Sequence, residues 1–343
     1  MEKHSLKTIA RKLGISVATV SKALNDYKDI SAATKKKVKD LAEELNFVPD
    51  SVAKSLRAKQ SRLIGFIAPD LLHHFFFNIL SGVLKVAQEK DYYVIVASSE
   101  DNMENEIRQL HLLVNKRVDG ILLALSDNTL DYGHVNNVLQ NDTPLVLYDK
   151  VSKAVKCSKV VINDRKAAQM ATQHLIDIGC HKIAEVRGHF NALTAIDRFI
   201  GYRNTLRDNG IPYKREIVFE ANGPTINDGI AIADRIFEHK DNINGILCHN
   251  DLLAIGIIIR LNELGVKIPE EIAILGFSDS PYTKITQPSL TTIKQHGHEI
   301  GRKACEILIE EIEAKVEKRP FKLKTIEVPI ELIKRKSTSK SLT

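Results

Sequence analysis

Residues 6–25 read LKTIARKLGISVATVSKALN, and the way this stretch folds decides what the rest of the chain serves. Leu6, Ile9, Ala10 and Leu13 recur at helical spacing and stop at Gly14, so the pattern predicts a short amphipathic helix ended by a residue that tolerates a left-handed turn. Ser16 then offers an N-cap to a second helix whose Val20, Ala23 and Leu24 point inward. Ala10 lets the two helices approach, Gly14 permits the turn and Val20 fills the junction. This is the pattern of a helix-turn-helix. A third helix, capped by Ser31 and apolar at Val38, Leu41, Ala42 and Leu45, closes a small core over residues 1–46.

The charge of the chain concentrates on that module. Residues 1–60 hold 13 Lys and Arg against 7 Asp and Glu, while the other 283 residues balance at 36 each. A basic module on a neutral body implies a polyanionic partner, and with a helix-turn-helix that partner is double-stranded DNA. Val17, Ala18 and Lys22 face outward from the second helix. Two methyl-bearing residues suit thymine, and a lysine can donate to guanine acceptors in the major groove. Ser16, Thr19, Ser21 and Asn25 are placed for phosphates. Downstream, NFVPDSVAKSLRAKQS has helical pattern for only about two turns after Pro49, too short to be stable alone in water. Its Leu56, among Lys54, Arg57 and Lys59, has the character of an apolar wedge inserted in a minor groove. Residues 47–61 are read as a hinge.

From Arg62 the pattern changes. RLIGFIAP, YYVIVASS, GILLAL and PLVLYD are apolar runs of strand length separated by helical segments, and KVVIND, KIAEVRG, EIVFEA, GILCHN and IAILGFSD repeat the arrangement with helices near Arg165, Thr194, Thr225 and Asp251. Continuous apolar strands alternating with helices indicate parallel sheets covered on both faces. Two such units imply two lobes, with a ligand cleft beyond the carboxyl ends of the strands. A helix over about 298–315 and a strand, KTIEVPIELI, end the pattern. The core is expected over 62–334, with a first lobe of 62–160 and 292–322, a second of 161–291 and 323–334, and a flexible tail at 335–343.

Other function classes lack support. Cys157, Cys180, Cys248 and Cys305 are widely separated, without C-x-x-C spacing, so neither a disulfide framework nor a zinc site is indicated. The histidines of LLHHFFF and QHGH lie on separate segments without H-E-x-x-H spacing, and no G-x-S-x-G, P-loop or G-x-G-x-x-G occurs. No enzyme activity, metal or cofactor is expected. With no run of eighteen apolar residues and a charged first segment, MEKHSLKTIARKLG, a cytoplasmic protein without membrane contact is expected.

The order of helix-turn-helix, proline-led hinge and two-lobed α/β core, together with ISAATKKKVKDLAEELNFVPDSVAKSLRAKQS, HNDLLAIG, ILGFSDSP and PSLTTIKQ, resembles the lac repressor (LacI/GalR) family of bacterial transcription factors. The resemblance runs nearly the whole chain, through ELIKRKST. It implies an all-α helix-turn-helix domain joined to a two-lobed α/β core like that of periplasmic binding proteins. It further implies a homodimer on a pseudo-palindromic operator and a small effector, a sugar or related metabolite, in the cleft. Repression is the implied action. An activator, or a regulator answering to a protein partner, is the alternative.

Carried onto this chain, the family pattern puts Val17, Ala18 and Lys22 at the bases and Ala53 and Leu56 at the minor groove. Lys22 replaces the arginine or histidine common there, keeping the charge without the bidentate fork. Pocket positions follow the first strand at His73, His74, Phe75, Phe76 and Phe77, with one or two of the phenylalanines expected against ligand. Asp149, Arg198, Asn250, Ser278, Asp279 and Gln295 are strand-end candidates, Arg198 and Asn250 foremost, since a guanidinium fork and an amide suit hydroxyl or carboxylate groups. Ser278 stands where many members have aspartate. The tail KRKSTSKSLT holds no apolar heptad, so a dimer is expected and a coiled-coil tetramer is not.

Overall fold

A computed structural model describes residues 5–45, 47, 60–189 and 191–339. The expected hinge helix, with Ala53 and Leu56, lies outside the described residues. The chain divides into two compact units, Met1–Ser61 and Arg62–Thr343.

In the first unit, α1 (Leu6–Leu13), α2 (Val17–Leu24) and α3 (Ala32–Glu44) enclose Ile9, Ala10, Val20, Ala23, Val38 and Ala42. Gly14 ends α1 at φ +63°, a conformation that costs other residues more than glycine. The Ser16 hydroxyl accepts from the Thr19 N–H at 3.0 Å and the Ser31 hydroxyl from the Thr34 N–H at 3.2 Å. Each cap satisfies one of the free donors at a helix start.

The second unit is built on two six-stranded sheets. The first contains β1 (Leu63–Ala68), β2 (Tyr93–Ser98), β3 (Gly120–Leu123), β4 (Leu145–Tyr148), β5 (Ser158–Val161) and β11 (Thr325–Glu327), in the order β11-β5-β4-β3-β1-β2 and all parallel. The second contains β6 (Ile183–Arg187), β7 (Val218–Glu220), β8 (Gly245–Cys248), β9 (Ala273–Phe277), β10 (Thr291–Lys294) and β12 (Glu331–Ile333), in the order β12-β10-β9-β8-β6-β7, with only β12 antiparallel. Helices α4 (His74–Glu89), α5 (Met103–Asn115), α6 (Gly133–Gln140) and α11 (Gly297–Glu317) cover the first sheet. Helices α7 (Asp164–Asp177), α8 (Leu193–Asp208), α9 (Ile226–Glu238) and α10 (Asp251–Glu263) cover the second. Continuous apolar strands require such two-sided cover.

The chain passes between sheets three times, at 162–163, 295–296 and 328–330, and the expected lobe boundaries shift accordingly. Residues 292–294 lie in β10 and pair with β9 or β12, which places them in the second lobe and not the first. Residues 325–327 pair with β5, which places them in the first lobe and not the second. KTIEVPIELI is two short strands in different sheets instead of one, the first half pairing with β5 and the second with β10, with Pro329, which has no N–H to donate to a ladder, between them. Residues 335–339 are not a flexible tail. Ser337 and Thr338 are buried; the Ser337 hydroxyl donates to the Ile274 carbonyl at 2.6 Å, and Thr338 Oγ1 lies 2.8 Å from His174 Nε2.

Helices α4 and α11 cross at backbone contact. A Cβ on Gly301 would stand 1.9 Å from the Ile79 carbonyl oxygen, and one on Gly82 would stand 2.0 Å from that of His298. We expect Gly301→Ala to lower stability by about 1–3 kcal/mol through overpacking, read as a reduced urea midpoint of the second unit; an unchanged midpoint would mean that the helices can separate freely.

Candidate functional site

Two surfaces carry the residues singled out in the sequence. On the first unit, burial of Val20 and Ala23 turns the opposite side of α2 outward, leaving Val17, Ala18 and Lys22 exposed. Ser16 and Asn25 are also exposed, and Thr19 and Ser21 are half-buried. The Asn25 amide donates to the Ser21 carbonyl at 2.7 Å, and Lys22 Nζ lies 2.5 Å from Asp29 Oδ2. The short α2, capped at its start and fixed by two small apolar residues, thus presents a compact polar and methyl surface. That is what major-groove reading needs.

On the second unit, loops after β1, β3 and β4 face loops after β6, β8 and β9. His73 caps α4, its Nδ1 accepting from the Phe75 N–H at 3.3 Å, and burial holds its imidazole below the usual range. His74 lies beside it, 3.2 Å from the Asn78 amide. Phe75 and Phe76 join the apolar cluster that runs through both lobes, whereas Phe77 is exposed. Asp149, which follows β4, has no side-chain hydrogen bond among the described residues. Its carboxyl is pushed up to about 7, first by burial and then by Asp164, against the pull of Arg198 and Lys150.

Arg198 organises the second lobe. Its Nε donates to Asp164 Oδ1 at 2.8 Å, one terminal nitrogen donates to the His249 carbonyl at 2.6 Å, and its guanidinium lies 4.1 Å above the Phe277 ring. Asn250 is committed at both ends of its amide, accepting from the Leu253 N–H at 2.8 Å and donating to the Pro224 carbonyl at 3.0 Å. Ser278 donates to Gln295 Oε1 at 3.2 Å, which leaves Gln295 Nε2 buried without a partner among the described residues. Asp279 pairs with Arg335 at 2.5 Å.

The cleft also contains groups that the sequence reading passed over. His249 is half-buried between the lobes, and desolvation together with Arg198, Lys150, His73 and Arg187 drives its imidazole well below the usual range, so it stays neutral. Lys150 pairs with Asp127 at 2.5 Å and with Asp101 at 3.2 Å. These two residues directly follow Asp149 and precede Asn250 in the chain, so strand-end position alone could have found them. Glu106 had no such signal. Fully buried in α5, it accepts from the Ser126 N–H at 2.6 Å and the Thr129 hydroxyl at 3.2 Å, and it meets His134 Nε2 at 2.6 Å. It thereby pins the loop that lines a cavity of about 290 Å³ against Asn191, Leu193 and Ile196 of the other lobe. With the imidazoles of His73, His74 and His249 held below the usual range and Lys150 and Arg198 paired, the cleft offers donors and acceptors suited to an uncharged polar ligand.

A carboxyl raised from 3.8 to about 7 favours the native state while protonated and weakens it as pH rises through that interval. Asp149→Asn should therefore be more stable than the parent in urea titrations at about pH 8, with the difference gone by about pH 4. Equal stability at both would show that the carboxyl is well solvated.

The chain matches two family descriptions, "Bacterial regulatory proteins, lacI family" over residues 5–50 and "Periplasmic binding proteins and sugar binding domain of LacI family" over residues 61–336. It is 31% identical to the HTH-type transcriptional repressor PurR of Vibrio atlanticus (strain LGP32) over 93% of this chain and 95% of that one. It is 32% identical to the PurR repressor of Vibrio vulnificus (strain CMCP6) over the same shares. Among solved structures it resembles the lac repressor dimer bound to operator and the anti-inducer ONPF (TM-score 0.86, 25% identity, 98% of this chain and 99% of that one). It also resembles the transcription regulator CcpA of Lactococcus lactis (TM-score 0.73, 28% identity, 81% and 99%). These relatives are transcription regulators, not enzymes, and the helix-turn-helix unit and two-lobed core make this chain a member of the LacI family of DNA-binding transcriptional regulators.

Proposed function

We propose that the protein is a cytoplasmic, homodimeric repressor whose α2 reads a pseudo-palindromic operator and whose cleft binds an uncharged, hydroxyl-rich metabolite of the carbohydrate type. The observation that carries the DNA reading is the sidedness of α2, with Val20 and Ala23 buried and Val17, Ala18 and Lys22 exposed. Ser16, Thr19, Ser21 and Asn25 surround that face as phosphate contacts, and Ala53 and Leu56 are assigned to the minor groove from sequence. In the cleft, Asp149, Arg198 and Gln295 are the groups placed to meet ligand hydroxyls, supported by the unpaired Gln295 amide and the partnerless Asp149 carboxyl.

Dimerisation is supported by the edge of the first sheet. Strand β2 ends that sheet and exposes Tyr93 and Val96, 75% and 38% accessible. An uncovered apolar edge strand is a pairing surface, and Leu84 and Leu112 on the adjoining helices are exposed as well. The lac repressor relative was solved as a dimer on operator. Among the described residues no helix is long and apolar enough to cross a membrane. An effector that prefers one arrangement of the lobes changes operator affinity by no more than its differential binding, so a hundredfold response needs about 2.7 kcal/mol.

Lys22→Ala should cost about 1–3 kcal/mol on the best operator and relax preference at one base pair per half-site, measured by fluorescence anisotropy on a panel of duplexes. Uniform weakening across all sequences would make Lys22 a phosphate contact. Val96→Asp should convert a sedimenting dimer into monomer and abolish operator binding; a dimer that persists would place the subunit contact elsewhere.

A further inference from the structure

We infer that Asp29 is a specificity-determining residue of the DNA face, holding Lys22 away from phosphates so that its charge is released only to a matching base; the inference rests on the reading that α2 enters the major groove. Lys22 is the basic residue of the last turn of α2, and its ammonium lies 2.5 Å from Asp29 Oδ2 with both side chains about half exposed. Hydrogen bonding to Asp29 raises the lysine's affinity for its proton, and Lys22 lowers that of Asp29. The acid is held in place by its loop. The Tyr27 N–H donates to the Lys22 carbonyl at 3.1 Å and the Ile30 N–H to the Tyr27 carbonyl at 3.3 Å. Ile30 packs on the small core, and Asp26 is tied to α3 through Lys39 at 2.8 Å. Lys35 contributes its field to Asp29 from α3.

An exposed pair of this kind adds little to stability, so its presence on the reading face asks for another consequence. Phosphates are present on every duplex, whereas guanine acceptors are present only on some. A lysine already neutralised by a carboxylate displaces no counterion from random DNA, and an acid beside it is repelled by the backbone. Both effects weaken non-specific binding. On a duplex that offers guanine O6 and N7 in the groove, the ammonium can donate to the base edge while keeping one hydrogen on Asp29, since lysine has three. Discrimination therefore rises because the background falls.

The test compares the parent, Asp29→Asn, Lys22→Ala and the double variant in the full chain, titrated with operator and with random-sequence duplex between about 50 and 200 mM salt. Asp29→Asn should tighten binding to random duplex and steepen its salt slope by about 0.9, so that its gain is about threefold larger at the low end of that range than at the high end. The operator-to-random ratio should fall. In the Lys22→Ala background the same substitution should leave the slope unchanged, because the acid acts through the lysine. Asp29→Glu should restore the parent ratio. Unchanged random-duplex affinity and slope in Asp29→Asn would overturn the inference. So would a steeper slope that persists without Lys22, which would make Asp29 a general repulsive charge, or weakened operator binding alone, which would make it a base contact. Full operator binding by Lys22→Ala would instead remove the reading of Lys22 itself, whatever Asp29 does.

Discussion

Arg198 is the group on which the cleft depends. A guanidinium buried to this degree is tolerated only when its charge and donors are met, and it is met by Asp164 at the start of α7, by the His249 carbonyl after β8 and by the Phe277 ring at the end of β9. One side chain on α8 therefore ties together the strand ends and helix start that form one wall of the cleft. On its own wall its field adds to burial in holding the His249 imidazole well below the usual range, and across the cleft it draws the Asp149 carboxyl partway down from the value that burial alone would impose.

The opposite wall is held differently. Its loop after β3 hangs from the Glu106 carboxylate, which spends its acceptors on Ser126, Thr129 and His134. Lys150 is balanced by Asp127 and Asp101. Polar groups that are fully satisfied rigidify a site. Asp149 and the amide of Gln295 are among the described groups left without a side-chain hydrogen bond of their own. A cleft with rigid walls and few free polar atoms discriminates by the match of those atoms, because a ligand lacking the partner leaves them buried and unpaired.

The DNA-binding unit rests on a smaller scale of forces. Helices of 8, 8 and 13 residues are marginal alone, so the reading face of α2 exists only because Val20 and Ala23 pack with Ile9, Ala10, Val38 and Ala42. Effector control in the second unit requires a different kind of economy. Each lobe has an apolar cluster of its own, and a larger one runs through both, from Phe66 and Tyr148 to Leu275 and Phe277, so a ligand that favours one arrangement of the lobes acts by repacking that shared cluster without unfolding either lobe.

The amino-acid order alone determined the helix-turn-helix, the caps at Ser16 and Ser31, the nine apolar strands up to IAILGFSD and the division near residue 61, because each is a local pattern of period, cap or breaker. Tertiary structure decided what depends on neighbours distant in the chain. The split of KTIEVPIELI between two sheets follows from which edge each half can reach, and the burial of Ser337 and Thr338 follows from a carbonyl at Ile274 and a histidine at 174. The same division runs through the site. Strand-end position was enough to nominate Asp149, Asn250 and Gln295, but Arg198, expected at a strand end, lies inside α8, and position could not show that Asn250 is occupied by its own fold while the Gln295 amide has no partner among the described residues. Whether a polar atom has a partner is a property of packing, since the partners come from segments that only the folded chain brings within hydrogen-bond distance.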